Sequence, residues 1–295
     1  MPSADFAQFL QQLRGNPMPT ELAAMREAYE GMAQMFPLGA DARLRGGTLA
    51  DRPAEWYAAE GGGTPDRIVL YLHGGGYAIG SLVTHRHLGV EIARLVGCPV
   101  VALDYRLGPE HRFPAALDDA LGAYRQLRNE APQARIALAG DSAGGGLVVA
   151  TLMAIRDAGL APPVGAYCMS PWVDLAVTGP NVAAKAAADP LASADLLQLM
   201  ASRYLGDGDP RTPLASPIYG NLRGLPPLFI QVGSSEVLLD DSIRLAQVAG
   251  RDDVTVTLEV WPEMIHVWPF FFPAFPEGRD ALGRGCDFLQ LRLQA

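Results

Sequence analysis

The strongest constraint on this chain is a glycine-rich turn at residues 140–146, Gly-Asp-Ser-Ala-Gly-Gly-Gly. It follows the apolar, strand-like run 136–139 and precedes an apolar stretch of helical length. A strand, a sharp turn and a helix in this order lift the central serine, Ser142, out of a sheet. Gly140 and Gly144 suit the turn because a Cβ two residues from the serine would collide with a neighbouring strand or helix. The pattern predicts a nucleophilic serine; the alternative is an ordinary glycine-rich turn.

A second glycine run, His-Gly-Gly-Gly at residues 73–76, follows the strand-like run 68–72. Nucleophilic attack on a carbonyl carbon places negative charge on the carbonyl oxygen, and backbone N–H groups already aimed at that oxygen stabilise the charge. We predict Gly74 and Gly75 as donors from this loop. The third predicted donor is the N–H of Ala143, because it lies at the start of a helix, where amides are unpaired.

Only one histidine follows Ser142 in the chain, at position 266. When a nucleophilic serine lies on a sharp turn between a strand and a helix, its two catalytic partners follow it in the chain, the acid first and the histidine second. His266 lies just beyond the alternating run 254–260, which predicts a strand, and we predict it as the general base rather than a packed loop histidine. His73 precedes the serine and is interpreted as orienting its own loop. The other upstream histidines are interpreted as structural or solvated: His85, His87 and His111.

The acid has three candidates, which follow the apolar run 227–232. Glu236 falls in the turn at the end of this predicted strand, where catalytic groups collect. Asp240 and Asp241 directly precede a helical pattern and resemble first-turn or N-cap residues. We therefore predict Glu236 as the residue that accepts the Nδ1–H of His266, with both aspartates kept as alternatives.

Four ordered motifs resemble those of one known family. They are His-Gly-Gly-Gly at 73–76, Asp-Tyr-Arg-Leu-Gly-Pro-Glu-His-Arg-Phe-Pro-Ala at 104–115, Gly-Asp-Ser-Ala-Gly-Gly at 140–145 and Ile-His-Val-Trp at 265–268. From roughly residue 65 to its end, the chain resembles the bacterial hormone-sensitive-lipase-like carboxylesterases, the family IV esterases. The resemblance implies an α/β-hydrolase core with a helical cap, and hydrolysis of short-chain carboxylic esters.

The resemblance also implies roles for five residues: Ser142 as nucleophile, His266 as base, and Gly74, Gly75 and Ala143 as oxyanion donors. Two positions depart from the family pattern. Most relatives have aspartate where this chain has Glu236, although some have glutamate, and many have alanine where Gly108 stands. A longer acid reaches the same imidazole if its backbone lies about one methylene further away. Gly108 lies outside the motifs that carry chemistry and is interpreted as a loop variation.

Length and periodicity predict one α/β domain spanning residues 1–295, with a mostly parallel sheet covered by helices on both faces. With 49% hydrophobic residues the chain can bury a large core. The predicted strands are 68–72, 99–103, 136–140, 164–169, 228–232 and 254–260. The predicted helices are 84–96, 114–129, 144–158, 239–249 and 279–293.

Two helical segments, 1–38 and 181–206, do not fit the rhythm of the sheet, and together they are predicted to form the cap. Tyr77 and Trp172 are predicted to contact substrate because they follow strands on the catalytic side of the sheet. Apolar residues of the first segment could line a pocket or simply pack: Phe6, Phe9, Met32, Met35 and Phe36.

The formal net charge is −9 and basic residues are not clustered, so nucleic acid is not expected as a partner, and neutral esters are favoured over strongly anionic ones. No His, Cys and Asp cluster suggests a metal, and no cofactor is expected. Neither a secretion signal nor a membrane span is recognised. Three cysteines, Cys98, Cys168 and Cys286, are read as buried free thiols in a reducing compartment, so a cytoplasmic protein is expected.

The aromatic stretch 261–275 indicates either buried packing or an exposed contact patch. In the family that the chain resembles, subunits often pair near this end, so a homodimer is expected.

The predicted chemistry is acyl transfer through a serine ester that water then hydrolyses. Alternatives are an amidase, an arylformamidase or a carbohydrate deacetylase on the same fold. A true lipase and a non-catalytic receptor are further alternatives. Plant gibberellin receptors resemble the same family but lack the catalytic histidine, so the presence of His266 argues against the receptor alternative.

Overall fold

The computed structural model describes residues 2–59 and 66–295, so that Met1 and residues 60–65 of the predicted single domain lie outside the described part. In the described residues one eight-stranded sheet has the order β1-β2-β4-β3-β5-β6-β7-β8. The strands are β1 (Ala42–Leu49), β2 (Arg52–Ala59), β3 (Arg67–Leu72), β4 (Val100–Leu103), β5 (Arg135–Asp141), β6 (Ala166–Met169), β7 (Leu228–Gly233) and β8 (Val256–Trp261).

Strands β3 to β8 are mutually parallel, whereas β2 pairs antiparallel with both β1 and β4. The predicted α/β-hydrolase fold with a mostly parallel sheet is confirmed, and all six predicted strands are present. The β1–β2 hairpin was not predicted from the sequence. Most of β1 is exposed and only Leu49 is buried, so the strand lacks the apolar alternation that marks a half-buried strand.

Nine α-helices occur in the described residues. They are α1 (Ala4–Gly15), α2 (Leu22–Met32), α3 (Leu82–Val96), α4 (Ala115–Glu130), α5 (Ser142–Asp157), α6 (Asn181–Ala184), α7 (Ala194–Leu205), α8 (Leu239–Arg251) and α9 (Pro276–Gln294). The sheet separates two apolar clusters. On β3, Ile68 and Leu70 face the cluster that contains α4, α5 and α8, while Val69 and Tyr71 face the cluster that contains α3 and α9. This alternation is the period of two that places successive side chains on opposite faces.

The N-terminal segment divides between two places. Helix α1 packs on α9, where Phe6 meets Phe275 edge to face with ring centroids 5.1 Å apart. Helix α2 lies against the loops after β3 and β4. The Arg26 guanidinium donates to both carboxylate oxygens of Glu110 at 2.8 Å and, through Nε, to the Ala78 carbonyl at 2.9 Å. Arg26 therefore holds α2 beside the glycine-rich loop of residues 73–76.

Candidate active site

The turn at Ser142 has the geometry that its sequence predicts. Strand β5 ends at Asp141, α5 begins at Ser142, and Ser142 has a φ of +50°, a conformation that non-glycine residues seldom adopt. A Cβ on Gly144 would come within 2.1 Å of the Leu72 carbonyl oxygen, and a Cβ on Gly140 within 2.6 Å of the Gly144 carbonyl oxygen. The turn can therefore close this tightly only because both positions are glycine.

Ser142, His266 and Glu236 form a hydrogen-bonded relay. The Nε2 of His266 lies 2.9 Å from Ser142 Oγ, and its Nδ1 lies 2.8 Å from Glu236 Oε2. A carboxylate only accepts hydrogen bonds, so Nδ1 carries the proton and Nε2 is free to accept the serine hydroxyl proton. Each member follows a different parallel strand, β5, β7 or β8, because the carboxyl ends of parallel strands meet at one edge of the sheet.

The second oxygen of Glu236 is also held. Glu236 is fully buried, and its Oε1 accepts hydrogen bonds from Ser170 Oγ at 2.9 Å and from the Gly233 N–H. Ser170 Oγ in turn accepts from the Val267 N–H at 3.1 Å, next to the histidine. These donors orient the carboxylate so that Oε2 faces the imidazole.

The environment of His266 favours its protonated form. Burial acts to lower the pKa of His266, but the hydrogen bond from the imidazole to Glu236 and the charges of nearby carboxylates, with Glu236 the largest contributor, together outweigh burial, so the pKa is raised above its ordinary value. The same arrangement stabilises the imidazolium that forms when His266 takes a proton from Ser142.

The two alternative acids point elsewhere. Both lie in the first turn of α8, as their sequence context suggested. Asp241 Oδ2 accepts from the N–H groups of Val173 and Asp174, each at 2.9 Å, and burial raises the pKa of Asp241 to about 8. Asp240 accepts from the Asn181 side chain at 2.8 Å. Of the three candidate carboxylates, Glu236 is therefore the one placed on the imidazole.

The glycine-rich loop corrects one expectation. The Gly74 N–H donates to Asp141 Oδ1 at 2.9 Å, so it is not free for a substrate oxygen, and its predicted role as an oxyanion donor is wrong. Gly75 and Gly76 face the cavity beside Ser142, and within the described residues their N–H groups meet no acceptor. Both have positive φ, +116° and +59°, which glycine adopts without strain. Ala143 lies in the first turn of α5, where its amide has no intrahelical acceptor.

His73 lies behind this loop. Its ring stacks on Tyr105 with centroids 4.3 Å apart, and its Nδ1 lies 2.8 Å from the Gly74 carbonyl oxygen, to which it donates. Burial, with help from the nearby His85, lowers the pKa of His73 to about 3, so the ring is neutral. The placement fits the predicted loop-orienting role.

The remaining histidines are not at the relay. His85 is buried, with Nε2 3.4 Å from Asp141 Oδ2. His87 is buried and donates from Nε2 to the Phe270 carbonyl at 2.9 Å; burial lowers its pKa to about 4. His111 is exposed at the surface.

An apolar cavity of about 120 Å³ opens over Ser142. Its wall comes from the loop before α2, from α2, from α7 and the residues before it, and from the loop after β8. The lining residues are Met18, Met25, Tyr29, Met32, Gly75, Gly76, Ile79, Asp141, Ser142, Trp172, Leu191, Ala192, Leu196, Leu197, Met200, His266, Val267, Phe270 and Phe271. Parts of both predicted cap segments, 1–38 and 181–206, thus form the wall.

The two predicted substrate contacts differ. Trp172 lies in the cavity wall, whereas Tyr77 lies outside it, fully covered and stacked on Tyr204 with centroids 3.9 Å apart. Of the five apolar candidates in the first cap segment, Met32 alone is in the wall. Three of the others pack in the core and one is exposed: Phe6, Phe9 and Phe36 are buried, and Met35 is 59% exposed.

Most residues of the cavity wall were not predicted from the sequence. Met25, Tyr29 and Met32 stand at i, i+4 and i+7 on α2, a spacing that places them on one helix face. That stripe was visible in the sequence, but a stripe does not reveal whether it packs against core or faces a cavity. Leu191 and Ala192, just before α7, carry no periodic signal at all.

Within residues 2–59 and 66–295, no group of three or more His, Cys, Asp or Glu side chains is arranged to hold a metal ion. In the same residues no helix combines the length and the apolar character needed to cross a membrane. Free thiols occupy positions 98, 168 and 286, all of them buried.

Residues 69–270 match the family model described as the alpha/beta hydrolase fold. The chain belongs to the α/β-hydrolase family. An acetyl-hydrolase from Streptomyces hygroscopicus is 50% identical to this α/β-hydrolase over 246 residues, which cover 82% of the chain and 81% of the relative. An esterase from Acinetobacter venetianus is 33% identical over 267 residues, covering 90% and 88%.

Solved structures extend the likeness to 99% of the chain. An esterase from the bacterial hormone-sensitive lipase family superposes on this α/β-hydrolase with a TM-score of 0.95 at 43% identity, covering 99% of each chain. The structure titled EstE5 soaked with p-nitrophenyl butyrate has a TM-score of 0.94 at 43% identity, covering 99% of this chain and 100% of the other. The resemblance to hormone-sensitive-lipase-like esterases is confirmed.

Proposed function

We propose that this α/β-hydrolase is a serine carboxylesterase that hydrolyses short-chain carboxylic esters through an acyl-enzyme on Ser142. The observation that carries the proposal is the relay from Ser142 through His266 to Glu236 at the floor of an apolar cavity. The names of the relatives, esterase and acetyl-hydrolase, support it.

In the proposed reaction, His266 Nε2 takes the proton of Ser142 Oγ while the oxygen attacks the ester carbonyl carbon. Glu236 holds the imidazole in the required tautomer and stabilises the imidazolium. The imidazolium then gives its proton to the leaving alcohol. Water, deprotonated by the same imidazole, hydrolyses the serine ester and regenerates the free enzyme.

We propose Gly75, Gly76 and Ala143 as the donors to the oxyanion, with Gly76 in place of Gly74. Support comes from the position of Gly75 and Gly76 in the wall beside Ser142, and from the hydrogen bond that already occupies the Gly74 N–H. Donors fixed before the reaction stabilise the developing charge without reorganising.

The proposed substrates are neutral esters with small apolar acyl groups. Apart from His266, no basic side chain of the described residues lines the cavity, so an anionic substrate would find no partner there. A dry apolar cavity of roughly 150 Å³ holds benzene, and the cavity here is smaller, about 120 Å³. Residues 1–38 and 181–206 act as the cap in this proposal, since parts of both close the cavity over the serine.

The experiment is a series of p-nitrophenyl esters from acetate to palmitate, assayed with the wild-type protein and with Ser142→Ala. We expect rates that peak at about two to eight acyl carbons and vanish in Ser142→Ala. Activity that peaks on long chains at an oil interface would indicate a true lipase instead. No turnover by a folded wild-type protein would refute the esterase proposal and leave the receptor alternative.

The 50% identical relative named acetyl-hydrolase favours removal of acetyl groups as a second candidate function. A panel of acetyl amides, formamides and acetylated sugars beside p-nitrophenyl acetate separates an amidase, an arylformamidase or a carbohydrate deacetylase from a simple esterase. A preference of more than tenfold in kcat/KM for one of these compounds would assign that activity.

We also propose a reducing compartment, such as the cytoplasm, and a homodimer. Burial raises the pKa of Cys98 and of Cys168 to about 12, which keeps these thiols inert.

The aromatic stretch 261–275 does not support the proposed homodimer, because Trp268, Phe270 and Phe271 are buried within the chain rather than exposed. Strand β8 forms one edge of the sheet, with Thr257 and Val260 exposed, and this edge is the surface we propose for pairing. Light scattering that gave the monomer mass over a wide concentration range would refute the dimer.

A further inference from the structure

Asp189 is a buried carboxylate that neither the sequence motifs nor the proposed mechanism uses. It lies between α6 and α7 and is 5% exposed. Leu191 and Ala192, two and three residues further on, line the cavity. Asp189 Oδ1 accepts the Leu191 N–H at 3.0 Å, which closes a turn over the intervening proline.

The second oxygen of Asp189 reaches a different part of the chain. Oδ2 accepts the Val237 N–H at 3.0 Å, 48 residues away in sequence and directly after Glu236. The hydrogen bond from the Leu191 N–H is enough to form the turn that precedes α7. The bond to Val237 instead ties the cavity wall to the loop that carries the acid of the relay, and it gives a buried carboxylate a second donor.

Asp189 also acts on the relay through its charge. Burial raises the pKa of Asp189 to about 6; the charged groups facing it are His266, which opposes that rise, and Glu236, which adds to it. In return, the charge of Asp189 helps to raise the pKa of His266, after the larger influence of Glu236, and Asp141 contributes in the same direction. The imidazole therefore lies in the field of more than one carboxylate.

We propose that Asp189 is a positioning residue for the proposed reaction: it fastens the Leu191–Ala192 wall to the loop bearing Glu236, and its charge stabilises the imidazolium of His266. The proposal rests on the proposed function. It makes the cap segment part of the catalytic machinery as well as a cover over the serine.

The test compares Asp189→Asn and Asp189→Glu with the wild type. Asparagine keeps the size but has one acceptor oxygen and no charge, so one of the two N–H groups loses its partner. Glutamate keeps the charge. The control is Asp252→Asn, because Asp252 is another nearly buried aspartate that accepts a backbone N–H, from Leu222 at 2.7 Å, but it contacts neither the relay nor the cavity wall.

The first readout is kcat/KM for p-nitrophenyl butyrate from pH 5 to 9. Activity requires neutral His266, so kcat/KM falls at low pH as His266 is protonated; we call this part of the pH profile the acid limb. Removing a nearby negative charge lowers the pKa of His266 and therefore moves the acid limb to lower pH. We expect a shift of about 0.5 pH unit in Asp189→Asn, with a several-fold lower kcat. Asp189→Glu should keep the wild-type acid limb, and Asp252→Asn should change neither quantity.

The second readout does not depend on turnover. Proton NMR of the low-field Nδ1–H of His266 reports the protonation of the imidazole, and Asp189→Asn should lower the pH midpoint of that titration. If Asp189→Asn keeps the wild-type acid limb and NMR midpoint while losing only thermal stability, the proposal is overturned. A wild-type protein without esterase activity would defeat the proposed function, yet the NMR comparison would still decide the role of Asp189.

Discussion

Replacing Glu236 by glutamine is the sharpest test of the relay, because the surroundings of this side chain determine how an amide would orient. The carboxylate Oε1 accepts from Ser170 Oγ and from the Gly233 N–H. A glutamine amide has one acceptor oxygen, which these two donors would claim. Its NH₂ group would then face His266 Nδ1 and donate to it.

This orientation reverses the tautomer of His266. Nδ1 would accept and Nε2 would carry the proton, so Nε2 could no longer accept the Ser142 hydroxyl proton across the 2.9 Å that separates them. When the acid of a serine triad is neutralised so that the tautomer is wrong, kcat falls by about 10⁴-fold, or about 5 kcal/mol in activation free energy. We expect a loss of this order in Glu236→Gln, with little change in KM.

The assay is kcat and KM for p-nitrophenyl butyrate, with a thermal melt for each variant to show that it is folded. Asp240→Asn and Asp241→Asn are the matched controls, since both carboxylates lie in the first turn of α8 and contact other groups. Each control should stay within about tenfold of the wild-type kcat. A Glu236→Gln variant with a rate near that of the wild type would refute the reasoning, and a collapse of either aspartate variant alone would move the role to that residue.

Three further predictions follow from the site. Because the pKa of His266 is raised, the acid limb of kcat/KM should have its midpoint above about 6.5, and a flat profile from pH 5 to 8 would contradict a general base there. Gly144→Ala should lose activity and about 1–3 kcal/mol of stability, because the added Cβ would collide with the Leu72 carbonyl oxygen. Thermal melts measure the loss of stability, and the control is Gly250→Ala, because a Cβ at position 250 has no atom within 4 Å. Met25→Ala should cost roughly 2–5 kcal/mol of stability and raise the hexanoate-to-acetate rate ratio; an unchanged ratio would remove Met25 from substrate contact.

Local patterns predicted the parts of this protein that depend on neighbours in sequence. The turn at residues 140–146 follows from glycines at fixed offsets between a strand and a helix. The six strands from β3 to β8 were found because they are buried or half-buried, and their apolar residues are visible in the sequence. Strand β1 was not predicted because most of its residues are exposed, so its sequence lacks the apolar alternation that marks a buried or half-buried strand.

Contacts between distant residues decided the rest. Whether the Gly74 N–H is free depends on Asp141, 67 residues further along the chain, whose carboxylate occupies it. The choice among three carboxylates depends on which one the loops after β7 and β8 bring to His266, and the Ser235 N–H bond to the Met264 carbonyl at 3.0 Å joins those two loops. Neither contact leaves a trace in residue spacing.

The sequence by itself was enough to predict a mostly parallel α/β sheet and to single out Ser142 and His266, because apolar periodicity, a glycine turn between a strand and a helix, and the order of motifs are all read along the chain. The α/β-hydrolase fold followed from the resemblance of those motifs to one known family. The tertiary structure alone decided which amides face the cavity, which side chains form its wall, and that Asp189 joins that wall to the loop of Glu236. These features depend on which hydrogen-bond donors and apolar surfaces remain unpaired after folding, and packing between distant segments sets that outcome.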